Sequence, residues 1–183
     1  MKRSFIAVAV LSSLFMSAGV FAAEGITEGK LTINGKVAGS TCQFLSGNEN
    51  ATISMSEIGV EQFKNVNVGA PVTTYTNTTS LPLKVKCTGN ETPRITFSST
   101  QFQGTESNIT HNTSNDNPAS GVGFAVYYGK DTSTRINGNN SIELQKSESG
   151  EYELHFTAQY AKAEDNVNIG NVSSAITMTV VTD

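Results

Sequence analysis

Few side chains in this 183-residue chain invite a reading as reaction chemistry. His111 stands in the polar run TESNITHNTSNDNPAS, and His155 stands inside ELHFTAQY. Two separated histidines leave a transition metal without a usual ligand set. Glu143, Glu148, Glu151 and Glu153 follow one another along a predicted strand and its turn. That pattern is a solvated face. A pair of carboxylates can flank a glycosidic bond, but nothing here selects a pair. ASGVG does not meet the Gly-x-Ser-x-Gly rule of a nucleophile elbow. No phosphate loop and no dinucleotide fingerprint occurs. The chain is therefore read as no enzyme, with no catalytic, cofactor-binding or metal-ligating residue and no cofactor.

The two cysteines, Cys42 and Cys87, carry the remaining chemistry. Their compartment is set by the opening stretch MKRSFIAVAVLSSLFMSAGVFA. Lys2 and Arg3 precede an apolar core, Phe5 to Met16, broken only by serines, and Val20-Phe21-Ala22 supplies the small residues of a cleavage site. This is expected to be a secretory signal peptide over residues 1–22. The competing reading is a membrane anchor, but the apolar run is shorter than the ~20 residues a span needs. In an oxidising compartment two cysteines pair, so a Cys42–Cys87 disulfide is expected. The spacing fits neither a CxxC redox pair nor a zinc site.

The elements that must position these residues are short. The formal charge is −4, and losing Lys2 and Arg3 makes the chain more acidic. That balance argues against nucleic acid and against anionic membranes. The length suits one domain with one core. Period-two runs recur at Leu31–Val37, Ala51–Met55, Val72–Tyr75, Leu81–Cys87, Arg94–Phe97, Val122–Tyr128, Tyr152–Tyr160 and Ile176–Val181. Asn137-Gly138 reads as a hairpin turn, and Asn117-Pro118 and Thr88-Gly89-Asn90 read as loops. Residues 105–120 read as a long surface loop. SEIGVEQFKNV is the one helix-like stretch. Many short strands with polar turns predict an all-β, Ig-like sandwich. Seven Asn-x-Ser/Thr triplets are chance products of a chain rich in these residues.

Several motifs in order resemble the pilins of chaperone–usher fimbriae, of the type 1 and P-pilus kind. GKLTINGKVAGSTC follows their Gly-x-apolar-x-apolar-x-Gly-x-Val lead into a cysteine, and LPLKVKC reaches the second cysteine. ITF precedes a polar loop. ASGVGFAVYY matches their Ala-x-Gly-Val-Gly run, HFTAQYAKA their Phe-x-Ala-x-Tyr strand, and GNVSSA the approach to the last strand.

The resemblance implies an incomplete Ig-like sandwich, completed by a donor strand from a neighbouring subunit. It divides the chain into the signal peptide 1–22, an N-terminal donor-strand extension 23–34 and a sandwich domain 35–183. Carried onto this chain, the donor positions are Thr27, Gly29, Leu31 and Ile33. Gly29 falls where groove and donor backbone come close, Leu31 and Ile33 fill pockets, and Thr27 begins exchange with the chaperone. Ile176, Met178 and Val180 form the C-terminal strand that contacts the chaperone. Many such pilins carry a tyrosine next to last, where this chain has Thr182. The implied function is a structural subunit of a surface fimbria, exported through the periplasm and supporting adhesion. Its implied partners are neighbouring pilin subunits, a periplasmic chaperone and an outer-membrane usher, with no nucleic acid. The alternatives are a minor pilin or adaptor, a single-domain adhesin, and a free-standing secreted Ig-like binding module.

Overall fold

The computed structural model describes residues 42–89, 92–104, 106–145 and 148–182, all within the unit Val37–Asp183. The expected signal peptide, the donor positions Thr27, Gly29, Leu31 and Ile33, and the run Leu31–Val37 lie outside the described residues.

Twelve strands follow in chain order: β1 Cys42–Phe44, β2 Pro71–Thr78, β3 Leu83–Cys87, β4 Pro93–Phe97, β5 Phe102–Gln103 and β6 Ile109–Thr110, then β7 Val122–Tyr128, β8 Thr134–Arg135, β9 Ser141–Glu143, β10 Glu151–Leu154, β11 Phe156–Lys162 and β12 Met178–Thr182. No α-helix occurs among the described residues. The hydrogen-bonded orders are β1-β3-β10, β2-β11-β7-β8, β12-β4-β9 and β5-β6, and every pairing is antiparallel.

Alternation builds the core. Leu83, Val85 and Cys87 of β3 and Pro93, Ile95 and Phe97 of β4 are buried, with half-buried residues between them. These inner faces join Leu144, Leu154, Val126, Ile136 and Phe156 in the main cluster. A second cluster, Phe63, Val72, Ala119, Val122 and Tyr160, fills the other end. Cys42 and Cys87 stand opposite each other in the β1–β3 ladder, with Cα atoms 4.0 Å apart, and they form the expected disulfide. Closing a loop of 45 residues contributes about 4 kcal/mol in the chain-entropy model.

The chain runs between two ends. At the entry end lie the disulfide and Gly150, whose carbonyl accepts the Cys87 N–H, and β12 finishes here with Thr182 opposite Pro93. At the far end lie a 3-10 turn, Val60–Phe63, and the tight pairings of Lys162 with Gly69 and Ala70.

Three expectations are corrected. Asn137-Gly138 is no hairpin turn, because β8 pairs with β7 and β9 with β4; the β7–β8 hairpin turns at residues 129–133 instead. Asn137 rather makes a local turn, its Oδ1 accepting the Asn139 N–H. The polar run 105–120 is not wholly a surface loop. Ile109 and Thr110 are almost fully buried, and Thr110 Oγ1 accepts the Phe124 N–H. SEIGVEQFKNV forms only the 3-10 turn, since a single turn of burial at Phe63 cannot support an α-helix.

Two glycines of ASGVG have separate reasons. Gly121 has φ +71°, and a Cβ there would meet the Asn166 carbonyl; Gly123 is extended, and its Cβ would sit 2.1 Å from the Thr110 carbonyl oxygen. Neither obstacle is a flexible side-chain end. Gly123→Ala therefore forces β6 away from β7 and should cost about 1–3 kcal/mol by overpacking, measured by urea unfolding. An unchanged midpoint would contradict this close approach.

Candidate functional site: an open groove between two unladdered walls

The sandwich is not closed. A cavity of about 600 Å³ runs along it. Its floor is made by inward side chains of β7 and β11: Phe124, Val126, Phe156, Ala158 and Tyr160. The Phe-x-Ala-x-Tyr motif thus supplies three of these five residues. Phe124 and Tyr160 stack tilted, with centroids 5.1 Å apart.

The walls are residues 51–56 and 172–178. The first runs from the entry end towards the far end. Its Ser54 carbonyl accepts Asn77 Nδ2 at 2.5 Å, and its Ser56 carbonyl accepts the Tyr160 hydroxyl at 3.0 Å. Burial, and secondarily the charge of Glu57, pushes the Tyr160 phenol up, so it stays a protonated donor. The second wall runs the opposite way. Its Ser173 carbonyl accepts the N–H and Oγ1 of Thr113, while the Ser173 N–H donates to Asn112 Oδ1. Thr177 donates its N–H to Gln101 Oε1.

These bonds fall on Ser54, Ser56, Ser173 and Thr177, whose side chains are exposed. Backbone N–H and C=O of Ile53, Met55, Ser174 and Ile176 have no hydrogen-bond partner among the described residues. Their side chains point inward but stay half-buried, unlike the fully buried inner residues of β3 and β4. One strand's worth of apolar contact and two ladders' worth of hydrogen bonds are missing. The expected strand Ala51–Met55 accordingly keeps its alternation but forms no ladder.

Of the expected chaperone-contact residues, Ile176 lies in the second wall before β12, Met178 starts β12, and Val180 follows. All three pack partly buried on the main cluster. The structure brings Ile176 and Met178 together with Phe97 and Phe156 in one cavity lining. Sequence reading did not single out Ile53, Met55 and Phe124. For Ile53 and Met55 the signal was available: apolar residues alternating with serine and threonine in a stretch without a charge.

Charge separates this groove from the edge strand β10. No Asp, Glu, Lys or Arg occurs in 50–56 or in 166–182. The exposed outer face of edge strand β10, by contrast, carries Glu151 and Glu153, which reach Lys86 at 2.5 Å and Lys84 at 2.9 Å on β3. Charged edges resist pairing with another chain. The four carboxylates Glu143, Glu148, Glu151 and Glu153 are all exposed, as a solvated face requires.

The fimbrial protein family model matches residues 31–182, and the chain belongs to that family as a structural subunit of a surface fimbria. Over its whole length it is 36% identical to the fimbrial-like protein YehD of Escherichia coli K12, across 189 residues and 100% of each chain. It is 26% identical to fimbrial protein 987P of Escherichia coli over 193 residues, covering 98% of this chain and 96% of that one. Its fold is similar to a chain in the structure of a chaperone–usher pilus, with a TM-score of 0.57 at 15% identity, covering 85% of this chain and 96% of the other. The all-β fold is thus a pilin-type, incomplete Ig-like sandwich.

The edge ion pairs yield a pH prediction. The hydrogen bond and charge of Lys86 hold Glu151 below the ordinary glutamate value of 4.5, and those of Lys84 do the same for Glu153. Depressed carboxylate values stabilise the fold above 4.5, and that contribution is lost as pH falls through the folded-state values. Replacing both by glutamine should leave stability near neutrality almost unchanged, because exposed pairs contribute little. It should flatten the loss of stability below pH 4.5, followed by urea unfolding across pH. Parallel curves for the two proteins would contradict the assignment.

Proposed function

We propose that this subunit polymerises by donor-strand exchange, its groove receiving Thr27–Ile33 of a neighbouring subunit. The observation that carries the reading is the pair of uncharged walls whose inward residues, Ile53, Met55, Ser174 and Ile176, have unpartnered backbone groups among the described residues. A strand added between two edges supplies ladder hydrogen bonds, and its alternate side chains enter pockets. The lengths agree. Thr27–Ile33 spans seven residues, about 23 Å when extended, and the wall 172–178 also has seven. Gly29 then meets the groove where backbones approach, while Leu31 and Ile33 cover the apolar floor. Each of those two burials contributes roughly 1.5–3 kcal/mol.

Before assembly the same groove is exposed and prone to aggregate. A periplasmic chaperone covers it with a strand of its own, contacting Ile176, Met178 and Val180, and an outer-membrane usher exports the growing fibre. Residues 1–22 direct export and 23–34 form the donor extension of the sandwich 35–183. The assembly is heterologous and does not close, so it yields a filament. Adhesion is the role of the filament as a whole, and no reaction is assigned to the subunit. A small-molecule site is the competing use of such a volume, since ligand cavities run from about 300 to 1,000 Å³. The two-residue period of half-buried side chains along walls with unpaired backbone favours a strand.

Gly29→Leu tests the reading. The variant keeps its own groove, so it should be exported and should accept donor strands. It should fail to donate, because the added side chain overpacks the contact. Mixed with the unmodified subunit it should terminate fibres, shortening them in electron micrographs as its fraction rises. Fibres of normal length at equal mixing would defeat the proposal.

A further inference from the structure

We infer that a second cleft of the sandwich, based on Tyr128 and Tyr152, is a binding site for a neutral saccharide. This cleft shares no lining residue with the open groove, so it stands or falls separately from donor-strand exchange.

The cleft has a volume of about 510 Å³, which lies in the range of small-molecule sites. Side chains from β7, β8, β9 and β10 meet in it. Tyr128 of β7 stands opposite Thr134 of β8. Ile142 of β9 stands opposite Ile95, and Tyr152 of β10 opposite Val85. Tyr128, Ile142 and Tyr152 are half-buried against the main cluster and form the apolar base. Tyr128 is held edge to face on Phe156, with ring centroids 5.9 Å apart. Glu143, Gln145, Glu151 and Glu153 are exposed and complete the lining.

Most polar groups of this lining are unengaged. Glu151 and Glu153 pair with Lys86 and Lys84. The side chains of Tyr128, Thr134, Glu143, Gln145 and Tyr152 have no hydrogen-bond or ion-pair partner among the described residues. Burial pushes the Tyr128 phenol up, so it remains a donor.

The chemistry of those groups selects the ligand. Tyr128, Thr134, Gln145 and Tyr152 can each donate a hydrogen bond. A cation offers them no acceptor. An anion meets the carboxylates of Glu143, Glu151 and Glu153. A neutral sugar ring suits both sets. Its hydroxyls accept from the tyrosines, the threonine and the glutamine and donate to the carboxylates, and its apolar C–H face lies on a tyrosine ring. A peptide strand is the competing occupant, since β9 and β10 each end a sheet. The carboxylates carried by both strands oppose strand pairing. Binding is proposed without hydrolysis. Lys86 and Lys84 hold Glu151 and Glu153 ionised, whereas cleaving a glycosidic bond needs a carboxyl that keeps its proton.

The test exposes fibres of the full chain, sheared from cells, to an array of neutral oligosaccharides, the same oligosaccharides capped with sialic acid, and a lysine-rich peptide. The expected result is retention on at least one neutral saccharide, competed by that sugar in free form. Glu143→Ala and Gln145→Ala alter exposed side chains and should each weaken retention several-fold, and Tyr152→Ala should abolish it, in fibres of ordinary length by electron microscopy. If Tyr152→Ala forms no fibres, the two exposed variants decide the matter. Retention on no neutral saccharide, undiminished retention by Glu143→Ala and Gln145→Ala, or stronger retention on the sialylated set or the peptide would each overturn the inference.

Discussion

Everything in this fold turns on backbone groups that have nowhere to go. Ile53 and Met55 on one wall, and Ser174 and Ile176 on the other, have N–H and C=O groups with no partner among the described residues, and all four line one cavity. In water these groups are solvated, so an empty groove is tolerable. Pairing them gains only about 0.5–1.5 kcal/mol per hydrogen bond, because bonds to water are exchanged for bonds to protein. The larger gain is apolar, from covering Phe124, Phe156 and Tyr160. Direction and register come from the ladder, and affinity comes chiefly from the floor.

The chain anchors both walls of the groove from outside and protects the β10 edge with charge. Asn77 and Tyr160 anchor one wall, and Asn112, Thr113 and Gln101 anchor the other. The outward bonds leave the inward ones free. On β10 the same exposed-edge problem is met by cross-strand ion pairs, Lys84–Glu153 and Lys86–Glu151. A long uncharged stretch such as 166–182 is a liability in a free-standing domain and a requirement in one that is finished by its neighbour.

Much of this was legible in the sequence, and the misreadings have physical causes. Arg94–Phe97 reads as a strand because it keeps one buried face in a ladder, and Val122–Tyr128 because it is an apolar run covered on both faces, Ala125 and Tyr127 packing with Ile109 and Ala161. Tyr152–Tyr160 read as one strand but is two, β10 and β11. Tyr152, Leu154, Phe156, Ala158 and Tyr160 hold one phase through His155, so the change of partner leaves no mark on periodicity. Ala51–Met55 shows the same limit. Alternation reports which side is buried, not whether a strand lies alongside. Asn137-Gly138 carried hairpin chemistry, but Gly138 is there because a Cβ would strike Ser99 Cα at 2.5 Å. Ile109-Thr110, two buried residues inside a polar run, is too short for composition to detect. The disulfide was visible because the chain has two cysteines behind an export signal, and the Phe-x-Ala-x-Tyr strand because its residue types keep a fixed spacing.

Amide hydrogen exchange measures the central claim most directly. The sandwich domain lacking residues 23–34 is compared with and without a peptide of Ala23–Asn34, and the amides of 51–56 and 172–178 are followed. The account predicts fast exchange at Ile53, Met55, Ser174 and Ile176 in the free domain. With the peptide bound, those four amides become protected, while Ser173 and Thr177, already bonded outward, change less. Equal protection of all six with and without peptide would mean that the walls were paired from the start and that the sandwich lacks no strand.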